Sequence, residues 1–135
     1  MPGKPAARIG DRVAGTDRHI VLVTSPTGPV PTMMGFPYTA VITGGGCPQV
    51  LIGGSPAATV GSTVALQPPH IPPPNTVFQI PPTNTGTTTM GSGSVLIGGR
   101  PAVRAQDKVL TCSDPVPSEN GTVQPPLRNH QVLIG

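Results

Sequence analysis

Three side chains that could bind a metal lie at related positions of an internal repeat. His19 and His70 each follow the proline of their own repeat copy by 14 residues. In the third copy, Cys112 stands three residues before that offset. Imidazole nitrogen and thiolate sulfur are typical zinc ligands. The spacing therefore predicts a metal site formed by His19, His70 and Cys112.

A structural zinc site takes four ligands, so a fourth is needed. His130 and Cys47 are the remaining His and Cys residues. Both precede a Val-Leu-Ile segment, so we expect them where a strand starts, away from the level of the first three candidates. Water or a further side chain could also fill this position, so the fourth ligand stays open. We expect a structural Zn²⁺, with iron as the alternative ion.

Arrangements typical of catalysis are not found in the sequence. The five carboxylates are spread singly, without a pair at a spacing suited to acid–base work. The glycines at residues 44–46 lack the Lys-Ser/Thr of a phosphate-binding loop. Asp17 and Asp114 are the only carboxylates expected near the metal, as candidate general bases. We therefore predict that the protein is not an enzyme.

The repeat itself predicts hairpins. Two copies are intact, at residues 50–61 (VLIGGSPAATVG) and 95–107 (VLIGGRPAVRAQD). The chain starts with the second half of a copy at residues 3–11 (GKPAARIGD) and ends with a first half at 132–135 (VLIG). Val-Leu-Ile favours a strand, Gly-Gly-x-Pro favours a turn, and a second strand of small residues follows.

Three such hairpins fit a pseudo-threefold arrangement. We predict a single domain over residues 1–135, with hairpins near 3–13, 50–64 and 95–110. The closing strand at 132–135 then pairs with the N-terminal strand, which removes exposed strand edges. Equivalent positions of the three copies converge on the axis of such an arrangement. The metal-binding loops would form its narrow end.

Composition favours an all-β fold of short strands and long Pro-rich loops. The 135 residues include 20 Pro and 18 Gly, which disfavour helices. The aromatic residues are Phe36, Tyr38 and Phe78, too few for a conventional core. A small domain of this kind needs an additional crosslink, and a bound metal supplies one.

Charge and targeting signals limit the partners. The net charge of +3 comes from eight scattered Lys and Arg against five Asp and Glu. Without a basic run or aromatic platforms, nucleic-acid binding is not expected. The N-terminus lacks the apolar segment of a signal peptide, so we expect synthesis in the cytoplasm. A less favoured hypothesis is a secreted β-rich binding protein with a Cys47–Cys112 disulfide.

The segment GKPAARIGD and the recurring VLIGGxPA resemble the PAAR-repeat family, named for its Pro-Ala-Ala-Arg. The resemblance covers nearly the whole chain, including the order of the half-copies. Three positions depart from the motif. Thr59 and Ser62 replace its Arg and Asp in the middle copy, and Gln106 replaces its Gly in the third.

The resemblance implies a small cone of short hairpins on the distal end of a trimeric β-helical spike. Such spikes belong to contractile injection systems, including type VI secretion and phage-tail-like particles. A zinc ion bound by His and Cys holds the tip, and by position His19, His70 and Cys112 resemble three of its ligands. Several relatives carry a further His near the position of Phe36, which this chain lacks.

We therefore expect a structural tip protein that caps and sharpens the spike, with one copy per trimer. It would be assembled in the cytoplasm, carried on the injection particle, and brought into transient contact with the target membrane. The alternative is an adaptor that docks a separate effector, as cargo, onto the spike. In both cases the hairpin ends would form the base that meets the spike.

Overall fold

The structure, a computed structural model, describes residues 3–126 and 130–135. Its strands in chain order are β1 (Lys4–Pro5), β2 (Arg12–Val23), β3 (Val30–Gly44), β4 (Cys47–Ile52), β5 (Ser55–Ala57), β6 (Thr63–Leu66), β7 (Thr76–Phe78), β8 (Thr85–Thr88), β9 (Leu96–Ile97), β10 (Arg100–Pro101), β11 (Lys108–Thr111), β12 (Ser118–Val123) and β13 (Leu133–Ile134). In this part of the chain, no helix is long and apolar enough to cross a membrane.

Six strands close into a barrel-like antiparallel sheet. Their order is β12-β11-β8-β6-β3-β2, and β12 also pairs with β2, which completes the ring. Each repeat copy supplies two of them: β2 and β3 follow the first copy, β6 and β8 the second, and β11 and β12 the third. β7 lies outside the ring, on the second half of β2.

The three predicted hairpins are present beside this sheet. β4 pairs with β5, β9 pairs with β10, and β1 pairs with β13. In the last pair Lys4 lies opposite Ile134 and Pro5 opposite Leu133, so the two chain ends complete one hairpin. The all-β fold and the pairing of the terminal strands are therefore confirmed.

A ring of backbone hydrogen bonds joins the copies. The N–H of Ala7 donates to the carbonyl of Val103 (2.8 Å), that of Val103 to Ala58 (3.1 Å), and that of Ala58 back to Ala7 (3.0 Å). Each of these residues follows its repeat proline by two positions. The cycle gives the backbone its pseudo-threefold symmetry, and we call the three residues the ring residues.

The chain then turns sharply in each copy through a residue of positive φ. These residues are Gly10 (φ 99°), Gly61 (φ 96°) and Gln106 (φ 75°). Glycine adopts such a conformation without steric cost, whereas a side chain disfavours it. Gln106 therefore keeps the turn of the other two copies although it lacks the motif glycine.

A side-chain oxygen completes each turn. Asp11 Oδ2 accepts from the N–H of the residue three positions earlier at 2.9 Å, Ser62 Oγ does so at 3.1 Å, and Asp107 Oδ2 at 2.8 Å. Ser62 thus replaces the motif Asp without loss of the hydrogen bond. The departures at Ser62 and Gln106 leave the local fold unchanged.

Two apolar clusters fill the interior. The larger one lies within the closed sheet and includes Val13, Ile42, Val64, Val109 and Val123. The smaller one lies between the hairpins and consists of Ala6, Ile52, Ala57, Ala102 and Ile134. Both use mainly small and medium side chains, and Tyr38 is the aromatic member of the larger cluster.

The Pro-rich stretches between the repeat copies contain strands of their own, β7, β8 and β12. β8 is a Thr-Gly-Thr-Thr segment that pairs with both β6 and β11. The second hairpin strands are also shorter than expected, because the ring residues direct their N–H groups to neighbouring copies.

The turn at Gly10 provides a test of this backbone geometry. A methyl group at Gly10 would meet no heavy atom within 4 Å, so Gly10→Ala tests the positive φ alone. We expect the free energy of unfolding, measured by denaturant titration, to fall by about 1–2 kcal/mol. Gly93→Ala is the control, because Gly93 has equal space without a positive φ. Equal stabilities of the two variants would contradict the assigned turn.

Candidate metal centre

β2 carries two candidate ligands on one face. Asp17 and His19 are two residues apart on this strand, so their side chains point to the same side. Both are buried, with 0% and 1% of their surface exposed. His19 lies within β2, which pairs with β3 along its whole length.

Two loop segments bring the other candidates. His70 follows β6, and its backbone N–H donates to Asn84 Oδ1 at 2.9 Å. Cys112 comes directly after β11 and is 8% exposed. Each of the three repeat copies therefore contributes to one location.

The donor atoms of these residues lie close together. Asp17 Oδ2 is 2.7 Å from His70 Nε2 and 3.5 Å from Cys112 Sγ. Cys112 Sγ is 3.7 Å from His19 Nε2, and all four donor atoms lie within 4.8 Å of one another. The structure thus brings His19, His70 and Cys112 together, as the sequence predicted, and adds Asp17. We call these four residues the donor cluster.

Asp17 was missed as a ligand by the sequence reasoning, which considered it only as a general base. The signal that could have found it is its position two residues before His19 on a strand, which places both side chains on one face. The repeat offset could not reveal it, since that offset marks a single residue in each copy.

A chain of hydrogen bonds orients the Asp17 carboxylate. Tyr38 donates its hydroxyl to Thr111 Oγ1 at 3.3 Å, and the Thr111 hydroxyl donates to Asp17 Oδ1. Burial raises the pKa of Tyr38 to about 12, so its hydroxyl keeps its proton at neutral pH. With Oδ1 engaged in this way, Oδ2 faces His70 and Cys112.

The aromatic residues of the chain surround the two histidines. Phe36 and Phe78 have their ring centroids 5.7 Å from that of His19. Tyr38 packs edge-on against His70 at 6.0 Å. These rings shield the donor cluster from water, and Phe36 and Tyr38 are also among the buried hydrophobic residues.

His130 and Cys47 lie away from the donor cluster. His130 Nε2 donates to the carbonyl of Ala6 at 3.0 Å, while its Nδ1 accepts from the N–H of Val132 at 3.2 Å. Both ring nitrogens are therefore occupied in joining the chain ends. Cys47 starts β4 and is a free thiol, as is Cys112. The disulfide that a secreted, disulfide-linked protein would require is not formed.

The donor cluster has the chemistry of a metal site. Two imidazoles, a thiol and a carboxylate form a donor set suited to zinc, for which tetrahedral ligand atoms lie roughly 3.3–3.8 Å apart. The Sγ–Oδ2 and Sγ–Nε2 distances of 3.5 and 3.7 Å match this spacing. The 2.7 Å between Asp17 Oδ2 and His70 Nε2 is a hydrogen-bond distance, so these two groups must move slightly apart for both to bind one ion. A fully buried carboxylate such as Asp17 also needs a compensating positive charge. The cluster could therefore bind a metal ion.

The environment of Cys112 leads to a prediction about thiol reactivity. Burial, with the nearby Asp17 carboxylate as a second cause, raises the pKa of the Cys112 thiol. Because the thiolate is the reactive form, alkylation of Cys112 at pH 8 should be at least about tenfold slower than that of the half-buried Cys47. Mass spectrometry of peptides from chelator-treated protein would measure both rates. Equal rates would contradict the placement of Cys112.

Comparison with known proteins identifies the family of the chain. The PAAR motif family model matches residues 23–118, which is most of the chain. A comparison with curated proteins gave no match. The matched range includes His70, Cys112 and both intact repeat copies. On this match, the chain belongs to the PAAR motif family.

Proposed function

We propose that the protein is the tip of the spike of a contractile injection system. Proteins with the PAAR motif sit on the tip of such trimeric spikes in general. The observation that carries the proposal for this chain is a set of three exposed leucines at equivalent repeat positions. Leu51, Leu96 and Leu133 are 59%, 63% and 57% exposed. We call them the base leucines.

The Val-Leu-Ile strands explain why these leucines are exposed. Neighbouring side chains on a strand point to opposite faces. Ile52 and Ile134 point into the smaller core cluster and are 4% and 5% exposed, so the leucine before each points outward. An exposed apolar set with threefold symmetry fits a partner of the same symmetry, in which each hairpin meets one spike chain.

We further propose that the donor cluster holds a structural zinc ion. His19 and Asp17 would attach it to β2, His70 to the segment after β6, and Cys112 to the segment after β11. The ion would supply a crosslink between the three repeat copies. Since the unfolded chain does not bring the four donors together, metal binding energy would add to folding stability.

The proposed life cycle follows from this role. The protein would be made in the cytoplasm, mounted on the spike during assembly, and carried outward with the particle. Its contact with the target membrane would be transient and mechanical. We propose that the protein has no enzymatic activity, because proteins of this family have a structural role.

Metal content and stability test the zinc role. We expect about one zinc per chain, because the four donors converge on one point. His70→Ala should abolish the rise in melting temperature that zinc produces over chelator-treated protein. His130→Ala removes a histidine outside the donor cluster and should keep that rise. An equal zinc-dependent rise in both variants would refute the ligand assignment, and iron in place of zinc would correct only the ion.

Native mass spectrometry with the cognate spike tests the tip role. The expected complex contains three spike chains and one copy of this protein. Leu96→Asp places a charge on the base and should weaken binding at least about tenfold. Ile71→Asp is the matched control, since Ile71 is 75% exposed but lies beside His70, away from the base. Equal weakening by both variants, or a self-associated trimer without spike, would count against the tip role.

A second role, as an adaptor for a separate effector, is favoured by one feature. A groove of about 620 Å³ is lined by Phe36, Pro37, Pro69, Ile71 and other residues beside His70. Its walls come from β3 and the segment after β6, not from the hairpins that carry the base leucines. A cargo bound there would be released by Ile71→Asp and retained by Leu96→Asp, the reverse of the result expected for the spike.

A further inference from the structure

One ring nitrogen of His19 lacks a hydrogen-bond partner. Nε2 faces Cys112 Sγ, but Nδ1 is fully buried and makes no hydrogen bond in the structure. A buried polar group without a partner is unfavourable for folding. The charged atom beside it is Asp114 Oδ2, at 3.5 Å, which is longer than an ordinary hydrogen bond.

The backbone on both sides of His19 holds the Asp114 carboxylate in this position. Asp114 Oδ2 accepts from the N–H of Ile20 at 2.9 Å. The N–H of Asp114 donates to the carbonyl of Arg18 at 2.7 Å. Because Arg18 and Ile20 flank His19 on β2, the carboxylate is fixed relative to the imidazole itself.

The placement of Asp114 is part of the sheet architecture. One edge of β2 pairs with β12 at Val13–Gly15 and with β7 at Val21–Val23. Between these two strands the same edge is covered by residues 113–114, through Arg18 and Ile20. This short segment directly follows Cys112. Because it also contacts the two residues that flank His19, it links two members of the donor cluster, His19 and Cys112.

We propose that Asp114 is a positioning residue of the metal centre. In the metal-bound protein its carboxylate accepts the proton of His19 Nδ1, for which the separation of 3.5 Å must shorten to hydrogen-bond distance. This hydrogen bond fixes the tautomer in which Nε2 is free to bind the ion. Such a carboxylate–histidine pair also makes the imidazole a stronger ligand. The inference rests on the metal-binding role proposed above and assigns Asp114 to the shell outside the four donors.

A purely structural role is the competing explanation. Asp114 could act only as the cap of the β2 edge through the N–H of Ile20. Asp114→Asn separates the two roles, because the amide oxygen still accepts from Ile20 while the negative charge is lost. Glu119→Gln is the matched control, since Glu119 is an exposed carboxylate on β12 and its loss changes the net charge equally.

Zinc affinity, measured by competition with a chromophoric chelator, is the first readout. We expect Asp114→Asn to bind zinc about 10–100-fold more weakly than the wild type, and Glu119→Gln to stay within about twofold. The unfolding midpoint of the chelator-treated proteins should be the same for wild type and Asp114→Asn. Equal zinc affinities of wild type and Asp114→Asn would overturn the proposal.

Nitrogen NMR of ¹⁵N-histidine-labelled wild type is the second readout, and it needs no variant to fold. In the zinc-loaded protein His19 should carry its proton on Nδ1 and the ion on Nε2. The opposite assignment would overturn the role of Asp114 while leaving the metal site intact. A wild type that binds no zinc would overturn both this inference and the zinc role.

Discussion

The cycle of backbone hydrogen bonds through Ala7, Ala58 and Val103 constrains the rest of the structure. Each ring residue uses its N–H and its carbonyl on two different copies, so the three backbones must approach closely. Their side chains are 2% exposed or less and belong to the larger core cluster, in which close packing limits their size. The same closure requires the C-terminal strand to return beside β1, which explains the copy divided between the two chain ends.

Beyond this ring, the symmetry is progressively lost. β2 and β3 have 12 and 15 residues, whereas β6 and β11 have four each. The longer first pair can therefore supply two donor residues, Asp17 and His19, while each other copy supplies one. β2 also continues for four residues past His19, so the donor cluster does not lie at the end of the β2–β3 hairpin. The sequence had predicted that the metal-binding loops form the narrow end. A threefold set of exposed leucines on the hairpins and an asymmetric donor cluster thus occur in one small fold.

The features that could be predicted from the sequence are those that the repeat encodes. The hairpins, the terminal pairing and the convergence of His19, His70 and Cys112 follow from repeat positions, and the structure has all of them. β8 and β12 could not be foreseen, because Thr-Gly-rich segments favour strands only when partner strands are available on both sides. Asp17 and the Tyr38–Thr111 chain that orients it are tertiary features, since Tyr38, Thr111 and Asp17 come from different strands.

Charge explains why a carboxylate suits the fourth position of the donor cluster. Zinc bound by two neutral imidazoles and one thiolate would keep one positive charge in a site walled by Phe36 and Phe78. An uncompensated charge in such an apolar surrounding is strongly unfavourable. The carboxylate of Asp17 brings the total to neutrality, whereas a third imidazole would not. The same carboxylate lies 2.7 Å from His70 Nε2, so the fold already holds it against a ligand of the proposed ion.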